Sequence, residues 1–261
     1  MRKCPKCGKY GETETQRFCN SCRTELFYPE RFEKNTDTVI KPNNKLSVFH
    51  ISIYLIIFFV LWSIRELIIR PVFLDSLDSI MFQATESAMK LLVWTLPAVL
   101  LIKYFQEDMW IGLKEMLTAK PKYFKNAPIL LIVFVPLIRA GIFGEFAFNP
   151  DFEPLRLIGT VIFVGITEEV VFRGFLLNST MKRMNLWSAI ILNAVLFVLI
   201  HYPYWIYQEL DIITFITGSV QVLLLSALFS YAFIKTKNIF VPITLHMIWN
   251  LLLVLFIDSG G

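Results

Sequence analysis

From Leu46 onward the chain alternates long apolar runs with short polar breaks, at a period that neither amphipathic helices nor strands explain. Seven runs, at about 46–69, 85–105, 127–147, 156–178, 186–204, 211–234 and 238–257, are each near the roughly 20 residues that carry a helix across a hydrocarbon core. The pattern predicts an all-α polytopic membrane protein with about seven transmembrane helices. The polar breaks alternate in charge. Asp75, Asp78 and Glu86 follow the first run, whereas Lys103, Lys114, Lys120, Lys122 and Lys125 follow the second. Asn149-Pro150-Asp151-Phe152-Glu153-Pro154 follows the third, Lys182 and Arg183 the fourth, no base the fifth, and Lys235 and Lys237 the sixth. Basic loops stay in the cytosol, so the N terminus is expected inside and the C terminus outside, in the cell (plasma) membrane. Between Met109 and Phe124 the helical spacing of Trp110, Leu113, Met116 and Leu117 predicts an amphipathic segment lying in the inner interface.

Composition agrees with this pattern. Of 261 residues 56% are hydrophobic and 18% charged, with a mean hydropathy of +0.58, too little polarity to cover a water-facing surface. The 24 phenylalanines exclude a low-complexity chain, and a net charge of +4 does not suggest nucleic-acid binding. All four cysteines precede residue 23. Cys4-Pro5-Lys6-Cys7 and Cys19-Asn20-Ser21-Cys22 are two knuckles suited to a four-thiolate structural zinc site, the alternative being disulfides. Four sulfurs leave no open coordination position, so this zinc would not be catalytic. The organisation expected is a cytosolic zinc ribbon at 1–27, a linker at 28–45 and a membrane domain at 46–261. A protein partner of the ribbon remains open.

Charge inside an apolar run costs at least about 2.5 kcal/mol, so each instance needs a reason. The fourth run holds Glu168, Glu169 and Arg173. Glu169 and Arg173 are spaced i, i+4 and can pair, which leaves Glu168 about 100° around the helix without a partner on its own helix. His201 closes the fifth run, one turn after Phe197; His246 and Asn250, again i, i+4, sit in the seventh. Three runs thus supply polar groups able to converge on one buried site. His50, at the head of the first run, reads as interfacial, and Arg139 in the third as a packing ion pair. The Asn178-Ser179-Thr180 sequon falls on the cytosolic side and is read as chance. One geometric tension exists. His201 lies about 27 Å along its helix from Arg183 but Glu168 only about 20 Å from Lys182, which suggests that the fifth run begins later than Trp187.

Glu168-Glu169-Val170-Val171-Phe172-Arg173-Gly174, Phe197-x-x-x-His201 and His246-x-x-x-Asn250 resemble, in order and spacing, the three motifs of the CPBP intramembrane proteases. These include type II CAAX prenyl endopeptidases and bacteriocin-processing or immunity proteins (the Abi domain). The resemblance is densest over 155–257. It implies a hydrolase in which Glu168 is general base on a water also held by His201, His246 and Asn250 donate to the oxyanion, and Glu169, Arg173 and Phe197 support them. It implies cleavage near the cytosolic leaflet of a peptide or lipidated protein in contact with membrane lipids. The family is often named as metalloprotease, and Glu168 with two histidines leaves a catalytic divalent metal open. The other reading is a non-proteolytic immunity or interaction protein with the same fold. An ion-coupled transporter is disfavoured because no inverted repeat is found.

Overall fold

A computed structural model describes residue 7 and residues 45–121, 148–149 and 152–256. The chain divides into two units, Met1–Asn43 and Asn44–Gly261, and nearly all described residues belong to the second. Cys7 is exposed. Cys4, Cys19 and Cys22, Arg139 and the third apolar run lie outside the described residues.

The described part is helical: α1 Val48–Ser76, α2 Ser79–Tyr104, the short α3 Leu113–Thr118, α4 over 157–180, α5 Leu186–Tyr207, α6 Ile212–Thr236 and α7 Phe240–Phe256. Of these, α1, α2, α5 and α6 are long and apolar enough to cross a membrane. The chain is accordingly a multi-pass membrane protein. The seven crossings expected are not all matched: α7 has only 17 residues, and α4 carries Glu168, Glu169 and Arg173 within one apolar stretch.

Helix starts follow side-chain capping. Asp78 accepts from the Met81 amide at 3.0 Å, Asn185 from Ser188 at 2.9 Å, and Asp211 from Ile213 and Thr214 at 2.9 and 3.1 Å. His50, read as interfacial, has a polar companion: its Nδ1 lies 2.7 Å from the Ser47 hydroxyl at the head of α1. α5 breaks its ladder at Ile200–His201, because Pro203 has no N–H to return to the preceding turn. At that break the Ile200 carbonyl accepts from Trp62 Nε1 at 2.7 Å.

Hydrogen bonds between elements sort the described residues to two ends. At one end the Leu46 amide donates to Asp108 (2.7 Å), the Trp110 amide to the Asn178 carbonyl (3.0 Å) and the Ile239 amide to Met116 (3.0 Å), while Lys182 reaches the Glu107 carbonyl. At the other, Tyr207 meets Asp75, Ser79 meets Glu153, and the Asn149 amide donates to Leu255 at 2.7 Å. The first end carries the basic loops. There Asn178 is fully buried, accepting from the Ile111 amide (2.8 Å) and donating to its carbonyl (3.0 Å), so the sequon is structural. Among its described residues the segment expected to be amphipathic forms the short α3. Met109, Ile111 and Met116 enter the core while Leu117 is exposed, so it packs as part of the bundle end. The core centres on Phe58, Trp62, Trp94, Phe172 and Phe175, with the Trp62 and Trp94 rings 4.4 Å apart.

Candidate active site

The motif residues do converge. Glu168 and Glu169 sit midway along α4, just before the Val170–Leu177 stretch, which is wound with the wider π-helical turn. Such turns recur at functional sites because they redirect side chains. Gly165, one turn earlier, faces α7, where a Cβ would come within 2.8 Å of Met247. That close approach brings His246 Nδ1 to 2.8 Å from Glu169 and its Nε2 to 3.9 Å from Glu168. Glu169 is shared: Arg173 donates to it at 2.8 Å, and Arg173 also donates to the Ser226 carbonyl (2.9 Å) and hydroxyl (2.8 Å) of α6. Arg173 stacks over Phe197 at 4.6 Å, and the His246 ring lies against Phe229 at 5.3 Å. The expected Glu169–Arg173 pair is present, and both side chains are fully buried.

Glu168 differs from its neighbour. Both carboxylates are buried and each leaves its Oε2 without a hydrogen-bond partner, but of the two Glu168 is the one that lines a cavity, of 610 Å³, with His201, Asn250 and Thr160. His201 Nδ1 is bonded to the Phe197 carbonyl at 2.8 Å, an acceptor only, so Nδ1 carries the proton and neutral His201 keeps a bare Nε2. Asn250 spends one N–H on the Thr160 carbonyl at 3.0 Å. His246 stands behind Glu168 and is absent from the cavity wall.

The tension over His201 has a structural answer. α5 does start at Leu186, capped by Asn185, so the boundary is where the apolar run put it and His201 is indeed nearer the far end. The cavity extends from the level of Glu168 toward that end, past Tyr204 to Asp75, Leu77 and Arg156.

A second group of charges was missed by sequence reasoning. Lys90 of α2 is buried, lies 3.2 Å from Glu86 and 3.8 Å from Glu168, and faces the Trp62 and Trp94 rings at 5.3 Å each. Arg65 of α1 is paired with both Glu66 and Glu86; Arg70 lies 3.3 Å from Glu66 and 3.3 Å from Asp75. The acid Glu86, expected in a loop, is well inside α2 with a side chain 14% exposed. Alternating charges therefore run from Asp75 through Arg70, Glu66, Arg65, Glu86 and Lys90 to Glu168. The signal was available: Arg65, Glu66, Glu86 and Lys90 are ionisable groups within apolar runs, subject to the same cost that singled out Glu168.

The metal left open by the motifs fails a geometric test. Among the described residues no three His, Cys, Asp or Glu side chains are grouped to hold one ion, and His246 Nδ1 is engaged by Glu169.

Residues 150–252 match the Rce1-like family, described as type II CAAX prenyl endopeptidase Rce1-like. The match is to a protease family. It spans every motif residue, while the charged residues of α1 and α2 lie outside it. No curated protein matches the chain, and no solved structure does.

Proposed function

We propose that the chain is an intramembrane endopeptidase that activates water at Glu168. The observation that carries this reading is the Glu168 carboxylate: buried, ionically flanked by Lys90, and with Oε2 unpartnered in a cavity wall it shares with His201 and Asn250. Facing the cavity without a hydrogen-bond partner, that oxygen can accept from a molecule held there. In the reaction, a water donates one hydrogen bond to Glu168 and a second to His201 Nε2. Its oxygen attacks the peptide carbonyl carbon as Glu168 takes the proton, and the oxyanion is met by the remaining N–H of Asn250. When the C–N bond breaks, Glu168 returns that proton to the leaving amine. Glu169 holds the His246 ring through Nδ1 at 2.8 Å, and the ring, with Nε2 3.9 Å from Glu168, is placed to steady that carboxylate from behind. Glu169, Arg173 and Phe197 hold this ring and the α4–α6 contact in place.

Cys4, Cys7, Cys19 and Cys22 are proposed to hold one structural zinc, checked by metal content per chain before and after Cys→Ser replacement. The enzymatic reading is tested with purified protein and a panel of prenylated and unmodified peptides: Glu168→Gln, nearly isosteric, abolishes cleavage that the unchanged protein performs. Equal cleavage by both proteins would remove Glu168 from the mechanism, and no cleavage by the unchanged protein would leave the immunity or interaction reading.

A further inference from the structure

We infer that Gln83 and Arg156 form a carboxylate-binding subsite in the cavity wall, which holds a negatively charged group of the peptide about four or five residues from the bond cut at Glu168. The inference rests on the hydrolase reading for the cut, and names a feature by which the same cavity selects its substrate.

Among the described residues three cations line the cavity: Arg70, Lys90 and Arg156. Arg70 is engaged by Glu66 and Asp75, and Lys90 by Glu86 and Glu168. Arg156 is half-buried, and among the described residues its guanidinium has neither an ion pair nor a hydrogen bond. The carboxamides of the wall divide in the same way. Asn250 donates to the Thr160 carbonyl, whereas the half-buried Gln83 side chain has no hydrogen-bond partner among the described residues. These two free groups border one stretch of wall. A Cβ on Gly159 would overlap the Gln83 carboxamide, so the amide lies directly on α4 there, and Arg156 is three residues earlier on the same helix face. The missing side chain at Gly159 is what lets Gln83 reach across from α2.

A guanidinium fork with a carboxamide N–H beside it supplies the donors that a carboxylate accepts from, and partial burial strengthens such charged hydrogen bonds. The acid one turn before Arg156, Glu153, meets the Ser79 hydroxyl and leaves the guanidinium open. At 1.5 Å per residue, Gly159 and Arg156 lie roughly 14 and 18 Å along α4 from Glu168. An extended peptide covers that span in about four or five residues. The carboxylate is either an acidic side chain or the peptide's own C terminus.

Binding tests this without turnover. Full-length Glu168→Gln protein in detergent is titrated against an apolar decapeptide amide labelled with dansyl at its N terminus, with asparagine second and ninth, and anisotropy gives Kd. The other forms carry aspartate or lysine at either of those positions, or a free C terminus. A carboxylate form is expected to bind about tenfold tighter than the neutral one. Arg156→Gln should cancel that advantage with the neutral Kd unchanged, Arg156→Lys should keep part of it, and Gln83→Ala should reduce it about threefold. An advantage for aspartate identifies an acidic side chain as the ligand, and one for the free C terminus identifies the terminal carboxylate. Equal binding of acidic and neutral forms, no binding of any form, or a preference that survives Arg156→Gln overturns the proposal. Tighter binding of a lysine form overturns it too, and assigns this wall to Glu153. Should Arg156→Gln not fold, the comparison of peptide forms and Arg156→Lys still decide. An Arg156-dependent carboxylate preference without cleavage by the unchanged protein would remove the hydrolase and leave the subsite; cleavage with equal binding would do the reverse.

Discussion

The two ends of the helix bundle solve opposite problems with the same kinds of residue. At the basic end, polar groups are satisfied locally: Asn178 pairs its amide with one backbone residue, and Ile239, Trp110 and Leu46 each find a partner. At the other end, polar groups line a hollow and Glu168 keeps an oxygen unanswered. A buried unsatisfied carboxylate is costly, so it persists only where a well-packed remainder holds it. The packed end is what makes the hollow end possible. Removing groups from the two ends should therefore separate catalysis from stability.

The largest effect is expected at the hollow. Glu168→Gln removes the base but little volume, so turnover should fall by about 10²–10⁴-fold while thermal unfolding in detergent stays close to that of the parent. A large drop in stability accompanying the loss would mean that Glu168 is structural. Arg173→Met lies between the regions. It leaves Glu169 buried with only His246, and breaking such a pair costs about 3–5 kcal/mol, so unfolding should shift strongly and activity should fail with the fold. Lys90→Met is the sharper probe of the missed network. It leaves Glu168 and Glu86 without a shared cation, and a charge-assisted contact worth about 1.5–3 kcal/mol translates to roughly 10–100-fold in kcat/KM. Lys90→Arg should recover part of it, which a purely packing role would not show.

What was legible in the sequence follows from where each cost is visible. Apolar runs are local, so α1, α2, α5 and α6 could be placed from composition, and α5 begins at Leu186, where the run at 186–204 put it and not later as the His201 depth suggested. The i, i+4 pair Glu169–Arg173 is local too. Partners on different helices are not: nothing in the order of residues says that Lys90 reaches Glu168 across 78 positions, or that Glu169 meets His246. Glu86 was misplaced because a charge at the edge of an apolar run looks like loop until the helix around it is seen to begin at Ser79. The position of the cavity was invisible for a related reason, since the bulky residues packed on one side of Glu168 and those that border the hollow on the other are equally apolar.

At the packed end, Asn178→Ala should lower stability by about 1–3 kcal/mol, through the orphaned Ile111 amide and carbonyl, with cleavage per folded molecule unchanged. A change in kcat at constant folded fraction would break the separation of the two ends. The smallest effect belongs to Asp211, an exposed cap at the hollow end that takes no part in the cavity wall. The Thr214 hydroxyl, with the Thr214 and Ile213 amides, donates to its carboxylate and holds its pKa below the ordinary 3.8. A depressed folded value means that the ionised form is the stabilising one. The contribution is thus present above about pH 4, and is lost as pH falls through the folded value. Asp211→Ala should therefore lower the unfolding temperature slightly at pH 7, and the gap to the parent should narrow in acid. Asp211→Asn keeps the acceptor without the charge, so its difference from Asp211→Ala should not depend on pH. Since the residue caps α6 outside the hydrophobic span, neither change should alter cleavage. An activity change would show that the hollow end is coupled to Glu168 through α6 and its Ser226 contact with Arg173, and not only through the charged chain of α1 and α2.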